Sequence, residues 1–364
     1  MKAFVIMILG TLLSVSATAQ LTEKLDDIIN KNVKAGGPGI ALHIETGGKT
    51  IYNNGFGLAN TETTTPITPA TNFRMASVSK QFTAMAILLL EKDGKLSLED
   101  QLAKYLPEIP SPVGEKVLLR HLLTHSSGLI DYEALMDENI KQQLLDADIL
   151  KILEKQDTTY FEPGSRFRYS NSAYCLMTLI VERVSGQNYP AFIEQRIFKP
   201  LNMASSRVYQ TNAQIPNRAM GYATDKNGKV YFSDQSLTSA TKGDGGVYTS
   251  LTDYAKWSAA LRNNTLINLS AVSKRLNYEI AELPDSYYNA GWFLDDSDKT
   301  TFFHSGSTCG FSTFSIQIPE QQVSIVYFSN LANNEKPFRD IMDILAEMKI
   351  VKPGRIMSLH TLTR

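Results

Sequence analysis

Between Ala76 and Leu90 the chain reads Ala-Ser-Val-Ser-Lys-Gln-Phe-Thr-Ala-Met-Ala-Ile-Leu-Leu-Leu, without Gly or Pro and with Lys80 as its one charged side chain. A helix that is apolar on nearly every side has to be enclosed by the rest of the fold. The segment therefore predicts a buried helix starting near Ser77, and that helix carries a lysine into the interior. Residues three apart share a helix face, so the Ser77 hydroxyl and the Lys80 amine can meet through local geometry alone. A serine hydroxyl becomes a nucleophile when a neighbour removes its proton, and a lysine that has shed its charge in a dry site can do this. The positive end of a helix also favours the oxyanion formed when a carbonyl is attacked. A capping serine beside a solvated lysine is the plainer reading of an isolated pair. Ser239-Ala240-Thr241-Lys242 repeats the spacing, but it runs into Gly243-Asp244-Gly245-Gly246, a loop.

Two further strings favour the catalytic reading. Tyr169-Ser170-Asn171 follows the turn-forming Glu162-Pro163-Gly164-Ser165 and precedes a helical run, which places a phenol at a loop tip. A tyrosine beside a lysine titrates with it as one unit, and an asparagine amide can bind substrate and hold the lysine. Tyr52-Asn53-Asn54 and Tyr287-Tyr288-Asn289 share the Tyr-any-Asn pattern but lack this context. His304-Ser305-Gly306-Ser307 opens a stretch in which small residues give way to alternating polar and apolar ones, up to Pro319. This predicts a strand whose start lets a substrate backbone approach closely, and to whose edge a bound peptide could add.

With these three strings in this order, the chain resembles the serine β-lactamase and penicillin-binding-protein superfamily on its class C side, which includes DD-peptidases, D-amino-acid peptidases and some esterases. Leu122-Leu123-Thr124-His125-Ser126-Ser127-Gly128-Leu129, Pro200-Leu201-Asn202-Met203, Gly245-Gly246-Val247-Tyr248-Thr249-Ser250 and Ala290-Gly291-Trp292 are similar to further family signatures. The resemblance implies an α/β (α+β) fold of the β-lactamase/transpeptidase type, with an antiparallel sheet flanked by helices and a mostly helical lobe. It implies Ser77 as nucleophile, Lys80 as base and Tyr169 as proton shuttle. Asn171, His304, Ser305, Gly306 and Ser307 would bind substrate, with the oxyanion hole formed by the backbone N–H groups of Ser77 and Ser307. His304 stands where class C β-lactamases carry Lys, which favours peptidase or esterase action over β-lactamase action. The expected function is an exported serine hydrolase that forms an acyl-enzyme at Ser77 on a D-amino-acid-containing peptide or a small ester. A β-lactamase and a non-catalytic penicillin-binding or sensor protein are the alternatives. No deacylating Glu of the class A type and no Gly-x-Ser-x-Gly elbow are found.

Met1-Lys2 followed by an apolar run and Ala17-Thr18-Ala19 reads as a secretory signal peptide cleaved after Ala19, so the mature protein is expected to be periplasmic or secreted without stable membrane insertion. A net charge of −1 gives no electrostatic reason to bind nucleic acid. The expected partner is a small-molecule or peptide substrate, with no metal and no cofactor. The catalytic domain is placed at 20–349, with a helical lobe over roughly 96–242 inserted into the sheet lobe, and a tail at 350–364. Hairpin strands at Gly39–Ile44 and Lys49–Gly55 join others at Phe302–His304, Phe311–Ile318 and Val323–Ser329, so the sheet draws on both ends of the chain. Cys175 and Cys309 are read as two small buried thiols. His121 and His125 have zinc-like spacing but lack an intervening Glu, so they are read as structural, on a helix ended by Gly128. Gly243-Asp244-Gly245-Gly246 lacks the Lys of a phosphate loop, and Trp257, Trp292 and Phe311 are assigned to the core.

Overall fold

The computed structural model describes residues 19–211, 213–295 and 301–351. The predicted signal peptide and the tail lie almost wholly outside these. Among the described residues no helix is long and apolar enough to cross a membrane.

The main sheet is eight-stranded and antiparallel throughout. Numbered along the chain, its strands are β1 (Ile40–Thr46), β2 (Lys49–Phe56), β3 (Tyr278–Glu279), β4 (Ser286–Asn289), β5 (Trp292–Asp295), β6 (Thr301–Thr308), β7 (Phe311–Ile318) and β8 (Val323–Ser329). In space they run β3-β4-β5-β6-β7-β8-β1-β2, so the first strand sits between its hairpin partner and the last one. The β1–β2 turn is made by Gly47 (φ 56°) and Gly48 (φ 73°), the two positive-φ positions that a two-residue hairpin of matching twist requires.

Alternation along β7 and β8 decides which helix covers which face. Phe314 and Tyr327 are cross-strand partners and point to one side, where Phe338 of α5 (Lys336–Glu347) stacks on Phe314 with ring centroids 4.1 Å apart. Ser315 and Phe328 face the opposite side, where Tyr254 Oη of α4 (Leu251–Arg262) lies 2.8 Å from Ser315 Oγ and the Tyr254 ring meets the Phe328 ring edge-on. Both strands are buried along their whole length, as a sheet covered on both faces must be.

Helix α1 covers residues 19–32, and helix α2 (Lys80–Lys92) is buried continuously from Lys80 to Leu90, as its composition predicts. Phe82 packs against Trp257 (4.6 Å between centroids) and Phe198 (5.7 Å). Inside the core, Gln81 Oε1 of α2 accepts from Tyr254 Oη (2.6 Å) and Trp257 Nε1 (3.0 Å). Ser77 itself lies one turn before the α-helix, in a 3₁₀ turn Ala76–Ser79. The cause is Ala76, held at φ 47°, which kinks the chain too sharply for an α-helix to begin there.

Helices Leu119–Leu123, Asp146–Leu153 and α3 (Asn171–Ser185) occupy the region between β2 and β3, as the helical pattern predicts. Tyr222–Thr224 and Val230–Phe232 instead form a small hairpin. The helix holding His121 ends at Leu123, well before Gly128, because His125 already adopts the left-handed conformation (φ 55°). Both cysteines are free thiols; Cys175 is buried, whereas Cys309 sits half-buried at the β6–β7 turn. Trp257, Trp292 and Phe311 are core residues.

Truncating Phe82→Ala empties the space between Trp257 and Phe198 and should destabilise the fold by about 3–5 kcal/mol. Urea unfolding of the purified protein measures this.

Candidate active site

The start of α2 is clamped between the main sheet and a distant short strand, Val247–Thr249. Met75 N–H donates to Val247 O (2.8 Å), Val247 N–H donates to Ser79 Oγ (3.0 Å), and Thr313 Oγ1 on β7 donates to Met75 O (2.9 Å). Strand β6 crosses directly behind this turn. A Cβ on Gly306 would lie 2.3 Å from Met75 O and 2.4 Å from Thr313 Oγ1, so only glycine lets the strand pass.

Ser77, half-buried, faces Lys80, which is fully buried. Lys80 Nζ lies 3.1 Å from Ser77 Oγ, 2.7 Å from Asn171 Oδ1 and 2.8 Å from the Asp244 carbonyl oxygen. Two of these partners are carbonyl-type oxygens that only accept, while the third is a hydroxyl that can donate or accept. A neutral amine can therefore keep two N–H bonds and aim its lone pair at the Ser77 hydroxyl. The charged form makes three donations from the same position. A proton can thus pass between Ser77 and Lys80 without disturbing the other two bonds.

Asn171 is brought here by helix capping. Ser170 accepts from Ala173 N–H (3.2 Å) as the extended N-cap of α3, which places Tyr169 immediately before the cap and Asn171 on the first helical residue. The Asn171 amide is oriented by two opposite partners: Oδ1 accepts from Lys80, and Nδ2 donates to Glu133 Oε1 at 2.7 Å. Glu133 is exposed, yet the protein around it raises its pKa through desolvation, against the lowering effect of the Asn171 bond. The Tyr169 ring lies 4.9 Å from Lys80 Nζ, with its hydroxyl buried and without a hydrogen-bond partner. Burial raises the phenol pKa, while the Lys80 charge and the nearby Ser77 hydroxyl pull it back.

His304 is fully buried. Its Nδ1 meets the Ser305 carbonyl at 2.7 Å and its Nε2 meets Tyr288 Oη at 3.0 Å, with the Tyr169 ring 6.1 Å away. The sequence predicts it as a substrate-binding group; in the fold its ring lies in the aromatic wall behind Tyr169. Ser305 is buried beside it, and Ser307 is exposed at the end of β6.

A model of the β-lactamase family matches residues 20–347. The chain belongs to the β-lactamase family. It is 32% identical over 303 residues to penicillin-binding protein 4* of Bacillus subtilis, covering 78% of this chain and 66% of that protein. It is also 29% identical over 332 residues to protein flp of Staphylococcus aureus, covering 86% of this chain and 64% of that one. The chain thus spans just under two thirds of the length of these relatives. Among solved structures, a penicillin-binding protein from Bacillus halodurans matches with TM-score 0.77 and 27% identity, covering 89% and 98% of the two chains. An octameric penicillin-binding-protein homologue from Pyrococcus abyssi matches with TM-score 0.77 and 26% identity, covering 95% of this chain and 80% of that one.

Asp244, Glu133 and His125 also belong to this β-lactamase-family site, and sequence reasoning did not assign them to it. Asp244 contributes a backbone carbonyl, which carries no side-chain signal, from the glycine loop that the sequence rules out as a phosphate loop. That loop is fastened by buried Asp146, which accepts from Lys242 N–H (3.1 Å) and Gly243 N–H (3.3 Å). Burial pushes the Asp146 carboxyl up to about 6, against the Lys242 charge. Lys242, the lysine of the second Ser-x-x-Lys string, pairs with Asp146 instead of with a serine nucleophile.

Gly306→Ala should shift the Ser77 turn away from the sheet and lower the kcat for p-nitrophenyl ester hydrolysis by about 10²-fold, the cost of a misplacement near 1 Å. Steady-state kinetics on protein with an unchanged circular dichroism spectrum tests it.

Proposed function

We propose that the protein is an exported hydrolase that forms an acyl-enzyme at Ser77 and acts on amides or esters, with D-amino-acid-containing peptides and small esters as its substrates. The observation that carries this reading is the Lys80 amine, taken out of water and held against Ser77 Oγ by two acceptors from remote segments. Lys80 takes the Ser77 proton as Oγ bonds to the substrate carbonyl carbon. The carbonyl electron pair moves onto oxygen, facing the Ser77 and Ser307 N–H groups. Collapse expels the leaving amine or alcohol, which Tyr169 protonates, drawing in turn on Lys80. Water, deprotonated by the same pair, then releases the acid and restores Ser77.

The charge of the site narrows the substrate. Glu133 places a carboxyl group against the Asn171 amide, where burial and nearby Asp244 make its ionisation more costly. Such a cleft favours a substrate bearing an amine over one bearing a carboxylate. With His304 in place of Lys and buried in the aromatic wall, this position on β6 presents no lysine ammonium to a β-lactam or C-terminal carboxylate. This supports amide or ester cleavage beside an amino group over the β-lactamase and sensor alternatives.

Intact-protein mass spectrometry with a p-nitrophenyl ester, a D-alanine amide, a D-Ala-D-Ala peptide and a β-lactam tests the reading. Adducts that depend on Ser77, accompanied by continuing product from the ester or the amide, are expected. A lasting adduct without turnover for every compound would replace it with the sensor reading. Ser77→Ala and Lys80→Ala should each abolish most activity, and the double variant should be little worse than either; additive losses would show that the two do not act as one unit.

Above the raised pKa of Glu133 its carboxylate is charged and the preference for amine-bearing over neutral substrates is at its greatest. The preference should fall as the pH is lowered through that pKa. Glu133→Gln should abolish this pH dependence of the kcat/KM ratio while leaving ester hydrolysis within about tenfold.

A further inference from the structure

We infer that His125 is a positioning residue for Tyr169, holding the phenol at the Ser77–Lys80 pair from behind; this rests on the acyl-enzyme reading of the site. The grip is threefold. Arg168 N–H donates to the His125 carbonyl (2.8 Å), Ser170 N–H donates to His125 Nδ1 (3.0 Å), and the imidazole packs on the Tyr169 ring with centroids 4.2 Å apart. One residue thus fastens the backbone on both sides of Tyr169 and supports its ring. The backbone conformation of His125 serves this geometry. At φ 55° the residue turns its carbonyl and its side chain toward the same segment, Arg168 to Ser170, in a region that most side chains avoid.

The ring that does this is neutral. Nδ1 accepts an N–H, so the single proton of the neutral ring sits on Nε2. Nε2 is buried without a hydrogen-bond partner, against the Tyr288 (4.3 Å) and Tyr174 (5.0 Å) rings. Full burial, the Lys80 charge and His304 all hold its pKa well below the ordinary histidine value. The titratable groups that face it are Lys80, Tyr169, Tyr174, Tyr288 and His304. A second cation here would stand beside Lys80 and oppose the charge that Lys80 acquires when it deprotonates Ser77. A neutral acceptor supports the phenol without that penalty.

Three variants test the inference on ester turnover: His125→Ala, His125→Asn and His125→Gln. Asn places a carbonyl oxygen near the Nδ1 position and tolerates the left-handed backbone, whereas Gln carries its oxygen one bond farther out. The Ala variant should lose about 10²-fold in kcat, measured per folded molecule, with KM little changed. Its kcat–pH profile should move, because the profile reports the coupled Lys80–Tyr169 unit. The Asn variant should recover to within about fivefold of wild type, and Gln should not. An unmoved pH profile, with losses that track only the folded fraction, would overturn the positioning role. Should the Ala variant fail to fold, equal kcat for Asn and Gln would overturn it equally well. Wild-type protein without Ser77-dependent acylation would remove the acyl-enzyme reading and this inference together, an outcome distinct from an active wild type with indifferent His125 variants.

Discussion

A primary amine removed from water must find partners for its N–H groups or cost the fold several kcal/mol, and Lys80 finds them on three segments that are far apart in sequence. Ser77 comes from the turn before α2, Asn171 from the first position of α3, and the Asp244 carbonyl from the loop ahead of α4. Each segment has its own anchor. Thr313 on β7 and Val247 fix the first, the Ser170 cap fixes the second, and buried Asp146 fixes the third. The catalytic geometry and the closure of the helical region on the sheet are in this sense one packing problem. The partner set suits both protonation states of the amine, so the core tolerates the proton movement that the chemistry needs.

How much of this could be read beforehand depends on whether a feature is local. The Ser77–Lys80 contact is fixed by helical spacing, and the apolar run around it makes its burial legible. The Gly47-Gly48 hairpin and the strands from Phe311 to Ser329 carry their own turn and alternation signals. Asn171 and Tyr169 were legible as candidates because a turn hands over to a helix there. The short hairpin at 222–232 was not, since two three-residue strands give too little alternation to stand out from loop sequence.

What escaped the sequence is instructive in kind. The third Lys80 partner is a main-chain oxygen, and any residue type could supply it. Glu133 lies in a stretch of mixed polarity, where one more acidic residue marks nothing. His125 reads as structural because no Glu lies between it and His121, and nothing local shows that the helix ends between the two and turns its ring into the aromatic wall. Ala76 likewise gives no warning that it occupies a left-handed conformation. The sheet and the clamped turn impose that conformation on an ordinary residue.

The placement of β1 between β2 and β8 has a consequence for how the chain reaches this state. Ile40 pairs with both Phe56 and Ser329, so the interior of the sheet is completed by a contact that closes nearly the whole polypeptide into one loop. Contacts of such long range are slow to form, and they repay the entropy of closure only at the end. Until β8 has been synthesised and docked, β1 keeps an open edge and β6 has no fixed wall behind it, so the Ser77 turn has nothing to be pressed against. The proposed catalytic competence is therefore a late, all-or-none property of the folding chain, and a nascent polypeptide carries Ser77 and Lys80 without the site.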